Sequence, residues 1–142
     1  MRELKFKAIY QSPYTDEPNR IFISEPYTLR QLTERGLQID FVDGSYLIID
    51  EMEEEYTRWI QYTGRLDKTE REIYDGDILT IIGYGNILYK LEVFWWERYA
   101  AFYLRRLPAA DWDDECEDMC DANLMEVISN IYENPELSGV KE

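Results

Sequence analysis

No histidine occurs anywhere in the 142 residues. Its absence removes Ser-His and Cys-His nucleophilic pairs, imidazole acid–base chemistry near neutral pH, and histidine metal sites. Cysteine is nearly missing as well: Cys116 and Cys120 are the two in the chain. They are too few for a disulfide framework, a structural zinc site would need two further ligands, and their Cys-x-x-x-Cys spacing departs from the Cys-x-x-Cys of redox pairs. No apolar run approaches the roughly 20 residues of a membrane span, and residues 1–30 hold no charged-then-apolar leader pattern. A cytoplasmic location is the default expectation, with no membrane partner. Basic charge is scarce, 15 Lys and Arg against 30 Asp and Glu, for a net of −15. A field of that sign disfavours direct nucleic-acid binding, which rests on cations neutralising phosphates. It agrees with plain solubility, and it leaves open mimicry of nucleic acid toward a DNA-binding protein.

What the chain does have is aromatic residues, 15% of the total with twelve Tyr and four Trp. Such side chains suit pleated strands more than helices. The length fits a single domain, 1–142, able to bury a core without metal or disulfide staples. Leu4, Phe6, Ala8 and Tyr10 follow strand period, and Arg20–Ser24 reads as a second short strand. Thr28-Leu-Arg-Gln31 has the form of a capping box, and Gly36 stands where a C-cap glycine belongs, which predicts a short helix over 28–35. Leu37–Val42, Asp43-Gly44 and Tyr46–Ile49 predict a hairpin closed by a tight Asp-Gly turn.

Four acids between Glu51 and Glu55 read as a solvated loop or helix start. Arg58–Tyr62 predicts a strand that Gly64 ends. Asp75-Gly76-Asp77 suits a tight turn, with Gly76 supplying unusual φ and the aspartates accepting backbone N–H groups. Ile78–Ile82 and Ile87–Trp96 predict a second hairpin around Gly83-Tyr84-Gly85-Asn86. No helix start follows those glycines to receive a phosphate, and no lysine-serine pair follows a glycine, so neither a nucleotide loop nor a P-loop is indicated. Arg98–Leu104 and Leu124–Tyr132 predict further strands, closed by Pro108 and by Asn134-Pro135.

Candidate chemistry is thin. Residues 109–121 carry seven acids, Asp111, Asp113, Asp114, Glu115, Glu117, Asp118 and Asp121, and no base. They form a candidate acidic interaction surface; the glycine and glutamate spacing of a calcium loop is lacking. A helix there would bring Cys116 and Cys120 onto one face. Glu3-Leu4-Lys5 has the spacing of half a nuclease carboxylate motif, with no partner acid at a telling distance. Trp59, Trp95, Trp96 and Trp112, near Arg98, Arg105 and Arg106, could build a stacking platform for single strands, but core and sheet packing is the favoured duty. No catalytic, cofactor-binding or metal-ligating set emerges.

Three blocks go beyond generic β patterning: Met1–Ala8 (MRELKFKA), Trp59–Lys68 (WIQYTGRLDK) continued by Glu72–Ile78 (EIYDGDI), and Glu126–Leu137 (EVISNIYENPEL). In this order they resemble the YopX family of bacteriophage and prophage proteins. That family opens on a Met-Arg-Glu-Ile-Lys-Phe-Arg-Ala-like stretch and has a Gln-Tyr-Thr-Gly…Glu-Ile-Tyr-Glu-Gly-Asp centre. It closes on Val-Ile-Gly-Asn-Ile-Tyr-Glu-Asn-Pro-Glu-Leu. Here Thr69-Glu70-Arg71 stands where the family has an Asn-Gly turn, and Ser129 replaces a glycine. The resemblance implies a β-rich fold and a phage or prophage origin. It brings no activity, cofactor or site residue.

The resulting expectation is a mainly β (β-rich α+β) fold of compact, bent antiparallel sheets or a barrel-like arrangement, with one or two short helices. Its function is expected to be non-enzymatic, a phage accessory protein that binds a host or phage protein, with a homo-oligomer also open. Two alternatives stand beside it: an acidic nucleic-acid mimic or nuclease inhibitor, and a divalent-metal-dependent enzyme.

Overall fold

The computed structural model describes residues 4–14, 20–83, 86–107 and 116–135, with the side chains of 82–83, 86–88 and 116 left aside. Strands dominate; among the described residues there is one α-helix, of a single turn, and otherwise short 3-10 turns. The fold is mainly β, and one sheet curls as half a barrel. The chain packs as two units, residues 1–62 and 63–142.

In the first unit β1 (Lys5–Tyr10) is central. Its far end pairs with β2 (Phe22–Ile23) through Ile9↔Ile23, its near end with β3 (Tyr27–Thr28) through Phe6↔Tyr27. Between β2 and β3 the ladder is patched by a side chain. The buried Ser24 hydroxyl accepts the Ala8 N–H at 2.8 Å and donates to the Glu25 carbonyl at 2.8 Å. On its other edge β1 pairs with β6 (Thr57–Leu66), from Tyr10↔Thr57 to Phe6↔Gln61.

The helix α1 spans Leu29–Leu32 rather than 28–35. The capping box forms as expected: Thr28 Oγ1 accepts the Gln31 N–H at 3.3 Å, and Gln31 Oε1 accepts the Thr28 N–H at 2.7 Å. The helix stops after one turn because Leu29 is exposed and only Leu32 packs on the core, too little to propagate a helix. The hairpin of β4 (Gln38–Asp40) and β5 (Tyr46–Ile48) pairs Ile39↔Leu47. Its turn differs in detail from the expected Asp-Gly pair. The Gly44 N–H reaches the Phe41 carbonyl and the Phe41 N–H reaches Ser45, with positive φ at Gly44 alone. That is a three-residue loop with a glycine bulge. Ile39, Phe41, Tyr10 and Tyr27 form the core here, flanked by Phe22, Leu37, Leu47 and Tyr56.

The second unit is built on a five-stranded antiparallel sheet. Its elements are β8 (Asp77–Gly83), β9 (Asn86–Trp96), β10 (Ala101–Leu107), β11 (Cys116–Asp118) and β12 (Glu126–Asn130), in the order β11-β10-β9-β8-β12. Leu79, Leu91, Val93, Leu104 and Val127 lie within the core, which Ile73, Phe102, Met119, Ala122 and Met125 complete. The β8–β9 hairpin forms as expected; its Tyr84-Gly85 tip lies outside the described residues.

Three expectations are corrected in this region. Gly64 does not end β6; it takes φ +88 inside the strand, which continues to Leu66 beside β7 (Glu72–Tyr74). The strand predicted over Arg98–Leu104 begins at Ala101, because Glu97–Tyr99 form a 3-10 turn closed by Ala100 at φ +49. Where a helix would have paired the cysteines, residues 116–118 are strand β11, seated against β10 by Tyr103↔Asp118 and Arg105↔Cys116. A helix would have stacked Asp114 on Asp118 and Glu117 on Asp121, like charges four apart.

Candidate interaction surface on the second sheet

Of the seven acids in the sequence-derived surface, Glu117, Asp118 and Asp121 are described, and Asp111, Asp113, Asp114 and Glu115 lie outside the described residues. All three are exposed. Asp118 turns locally, its Oδ1 accepting the Cys120 N–H at 2.9 Å. Partial burial pushes the Glu117 carboxyl above its ordinary value, and the charges of Asp121 and Asp118 push it further against a smaller opposing pull from Arg106. The structure therefore places Asp118 and Asp121 close enough to Glu117 for their charges to act on it. Among the described residues no cluster of three or more potential ligands could hold a metal ion.

The aromatic residues are arranged differently from a four-tryptophan platform. Neighbours on a strand point to opposite faces, so Trp95 and Trp96 part company. Trp95 meets Phe102 edge-on at 5.1 Å, on the face that carries Val93 and Leu104. Trp96 lies on the other face, where Phe94 pairs across to Tyr103. Trp59 belongs to β6, and Trp112 is outside the described residues.

On that second face four rings touch in sequence. Phe94 lies 5.7 Å from Trp96; Trp96 meets Tyr99 at 4.8 Å and Tyr103 at 5.1 Å, both nearly perpendicular; Tyr99 and Tyr103 are 5.4 Å apart. Two arginines are laid over these rings, Arg105 at 4.1 Å from the Phe94 centroid and Arg98 at 5.5 Å from that of Tyr99. Arg106 sits 4.3 Å over Tyr89. Phe94, Trp96 and Tyr103 are half-buried and Tyr99 is 51% exposed. Tyr99 is held there by a strained turn, since a non-glycine residue such as Ala100 in the left-handed region costs about 1 to 2 kcal/mol. Strain of this kind clusters where a side chain has to be presented. Trp96, Arg98 and Arg105 are the members that the sequence points to; the register that sets Phe94 opposite Tyr103 and the 3-10 turn that adds Tyr99 are visible only in the structure.

The blocks that carry the family resemblance form another constellation, which is structural. Asp67 is 4% exposed although its loop is charged. Its Oδ1 accepts the N–H groups of Thr69 (2.8 Å) and Arg71 (2.9 Å) and the Thr69 hydroxyl (2.7 Å), while Oδ2 accepts the Val127 N–H at 3.0 Å. Burial alone would raise its pKa, but these bonds, that of Val127 foremost, outweigh it and hold the carboxyl below its ordinary value. The Lys68 N–H reaches the Met125 carbonyl at 2.9 Å, so the loop covers the outer edge of β12. Glu70, standing where the family has glycine, takes φ +69. Ser129 stands at a register shift in the β12–β8 ladder. Next to it, the Asp77 carboxylate accepts the Tyr74 N–H at 2.8 Å, and Gly76 at φ +87 lies under the Tyr132 ring, whose hydroxyl donates to the Asp75 carbonyl at 3.2 Å.

These features define a β-rich chain whose recognisable motifs hold turns and a strand edge. The sequence matches the YopX protein family over residues 15–138, most of the chain, and it belongs to that family. Among solved structures it is similar to protein EF1440 from Enterococcus faecalis, at 23% identity and a TM-score of 0.49, with 94% of this chain and 96% of that one covered. No curated protein matches.

Proposed function

We propose that this chain is a non-enzymatic phage or prophage accessory protein that acts in the bacterial cytoplasm by binding another macromolecule. Its docking surface is the Phe94–Trp96–Tyr99–Tyr103 face with Arg98 and Arg105. The observation that carries this reading is Tyr99. A large aromatic side chain is left half in solvent, braced by Trp96 and Tyr103, on a turn that stores backbone strain at Ala100. Tyr, Trp and Arg are the residues enriched where proteins bind one another, and clustered rings give large contact area at low entropy cost. No helix among the described residues is long and apolar enough to cross a membrane.

Affinity capture from bacterial host lysate tests the reading when three baits are compared. The wild-type chain is expected to retain a defined protein. Tyr99→Ala, at a solvent-facing position that leaves the core intact, is expected to lose it. Tyr46→Ala, 59% exposed on β5, is expected to keep it. Equal retention by all three baits would sink the proposal.

A further inference from the structure

We infer that the partner of this aromatic face is a protein segment rich in arginine or lysine, an inference that rests on the docking reading above and deepens it. Three observations converge. The rings already accept guanidinium groups: Arg105 lies 4.1 Å over Phe94 and Arg98 5.5 Å over Tyr99, both from the chain itself, so the ring geometry suits cation–π contact. The ring cluster is bordered by an acid. Asp118 stands opposite Tyr103 in the β10–β11 ladder, so the two side chains are cross-strand neighbours on one face.

The next residue, Glu117, pairs with Leu104 and so faces the other way, and the charges of Asp118 and Asp121 act on it, which makes β11 an anionic edge. The third observation is the whole-molecule field. A net charge of −15 draws a basic segment in and repels a polyanion, the other ligand that stacks on aromatic platforms. The segment fits with its cations shared between the Asp118 edge and the Tyr99 and Trp96 rings. Apolar ligands have no use for the acidic border, and nucleic acid is opposed by it.

The test uses the full chain, isotope-labelled for backbone amides and indole N–H groups, at physiological salt. One arm titrates a synthetic peptide of alternating arginine and glycine, the other a short oligothymidylate. The peptide is expected to shift resonances of Trp96, Tyr99, Tyr103 and Asp118 before any others. Tyr99→Ala is expected to weaken peptide binding about tenfold, the loss of one desolvated cation–π contact. Asp118→Asn is expected to weaken it about threefold. Replacing the exposed acids Glu53 and Glu54 of the first unit together by glutamine serves as the control for general attraction, with a change below twofold expected.

Equal weakening by the Glu53/Glu54 control, or peptide shifts spread over every acidic stretch, overturns the inference. So does oligothymidylate moving the Trp96 and Tyr99 resonances while the peptide leaves them still; the docking face would then stand and its basic partner would fall. If neither probe touches these residues, the basic partner is refuted, and the lysate comparison alone decides the docking reading.

Discussion

Replacing Gly76 by alanine is the sharpest test of how the family motifs work together. A Cβ built on Gly76 would lie 2.5 Å from Cε2 and from the hydroxyl of Tyr132, and 2.7 Å from Cζ. Ordinary carbon contacts sit near 3.5 to 4.0 Å, so something has to move by about an ångström. The backbone is pinned: the Gly76 N–H bonds to the Val93 carbonyl and its carbonyl accepts the Ile131 N–H, each at 2.9 Å. The Tyr132 ring must therefore leave. Its departure costs the hydrogen bond to the Asp75 carbonyl, about 1 kcal/mol, and a comparable amount of half-buried ring surface. Alanine at φ +87 adds about 1 to 2 kcal/mol of backbone strain.

The total is about 3 to 4 kcal/mol, a large share of the stability of an ordinary domain. Urea titration followed by tryptophan fluorescence reads it as a fall in midpoint at unchanged slope. A double-mutant cycle separates the two causes. In a Tyr132→Ala background only the strain of about 1 to 2 kcal/mol remains. A loss below 1 kcal/mol for Gly76→Ala, or the same loss in both backgrounds, would refute the clash as its cause.

Three further substitutions are expected to move stability in stated directions, each measured by denaturant midpoint. Asp67→Asn is expected to cost about 2 to 3 kcal/mol, since a carboxylate that accepts four hydrogen bonds is replaced by an amide that leaves a buried N–H group unpaired. Because the folded pKa of Asp67 is depressed, its charge contributes stability above the unfolded carboxylate value of about 3.9 and loses it as pH falls through the lower folded value. The gap between wild type and Asp67→Asn should accordingly be full at neutral pH and narrow below pH of about 4; a gap that widens on acidification contradicts the assignment. Glu70→Gly is expected to stabilise by about 1 kcal/mol by relieving φ +69. Thr80→Val is expected to gain about 1 kcal/mol, because the buried Thr80 hydroxyl finds no hydrogen-bond partner among the described residues.

Local chemistry that is complete within a few residues was legible from sequence. The Thr28 capping box, the β8–β9 hairpin and the Gly76 turn each consist of groups that satisfy one another across a short span. What stayed hidden depended on partners far along the chain. Asp67 stands in sequence among other charges, Arg65, Lys68, Glu70 and Arg71, with nothing to single it out; the Val127 N–H that ties it to β12 is sixty residues away. Gly64 looked like a strand end because glycine weakens strands, yet it lies within β6. Residues 116–118 looked helix-compatible by spacing, and pairing with β10 made them a strand. The candidate surface was half legible: the aromatics and arginines were noted, but Tyr99 joins them only because Glu97–Ala100 turn back over Trp96.

The two constellations also divide the labour of the sequence. Residues that match the family pattern, Asp67, Gly76, Asp77, Asn130 and Tyr132, are engaged with one another and with backbone groups, and each satisfies a turn, a strand edge or a close approach. The ring cluster and its acidic border, residues 94–105 and 117–121, lie outside the three blocks that carry the resemblance but inside the span, residues 15–138, that matches the family. The motifs of those blocks are occupied in holding the fold and say nothing about a partner. The proposed docking face carries physical signs of another kind: a half-exposed tyrosine on a strained turn and a cross-strand pair that sets an aromatic ring beside a carboxylate.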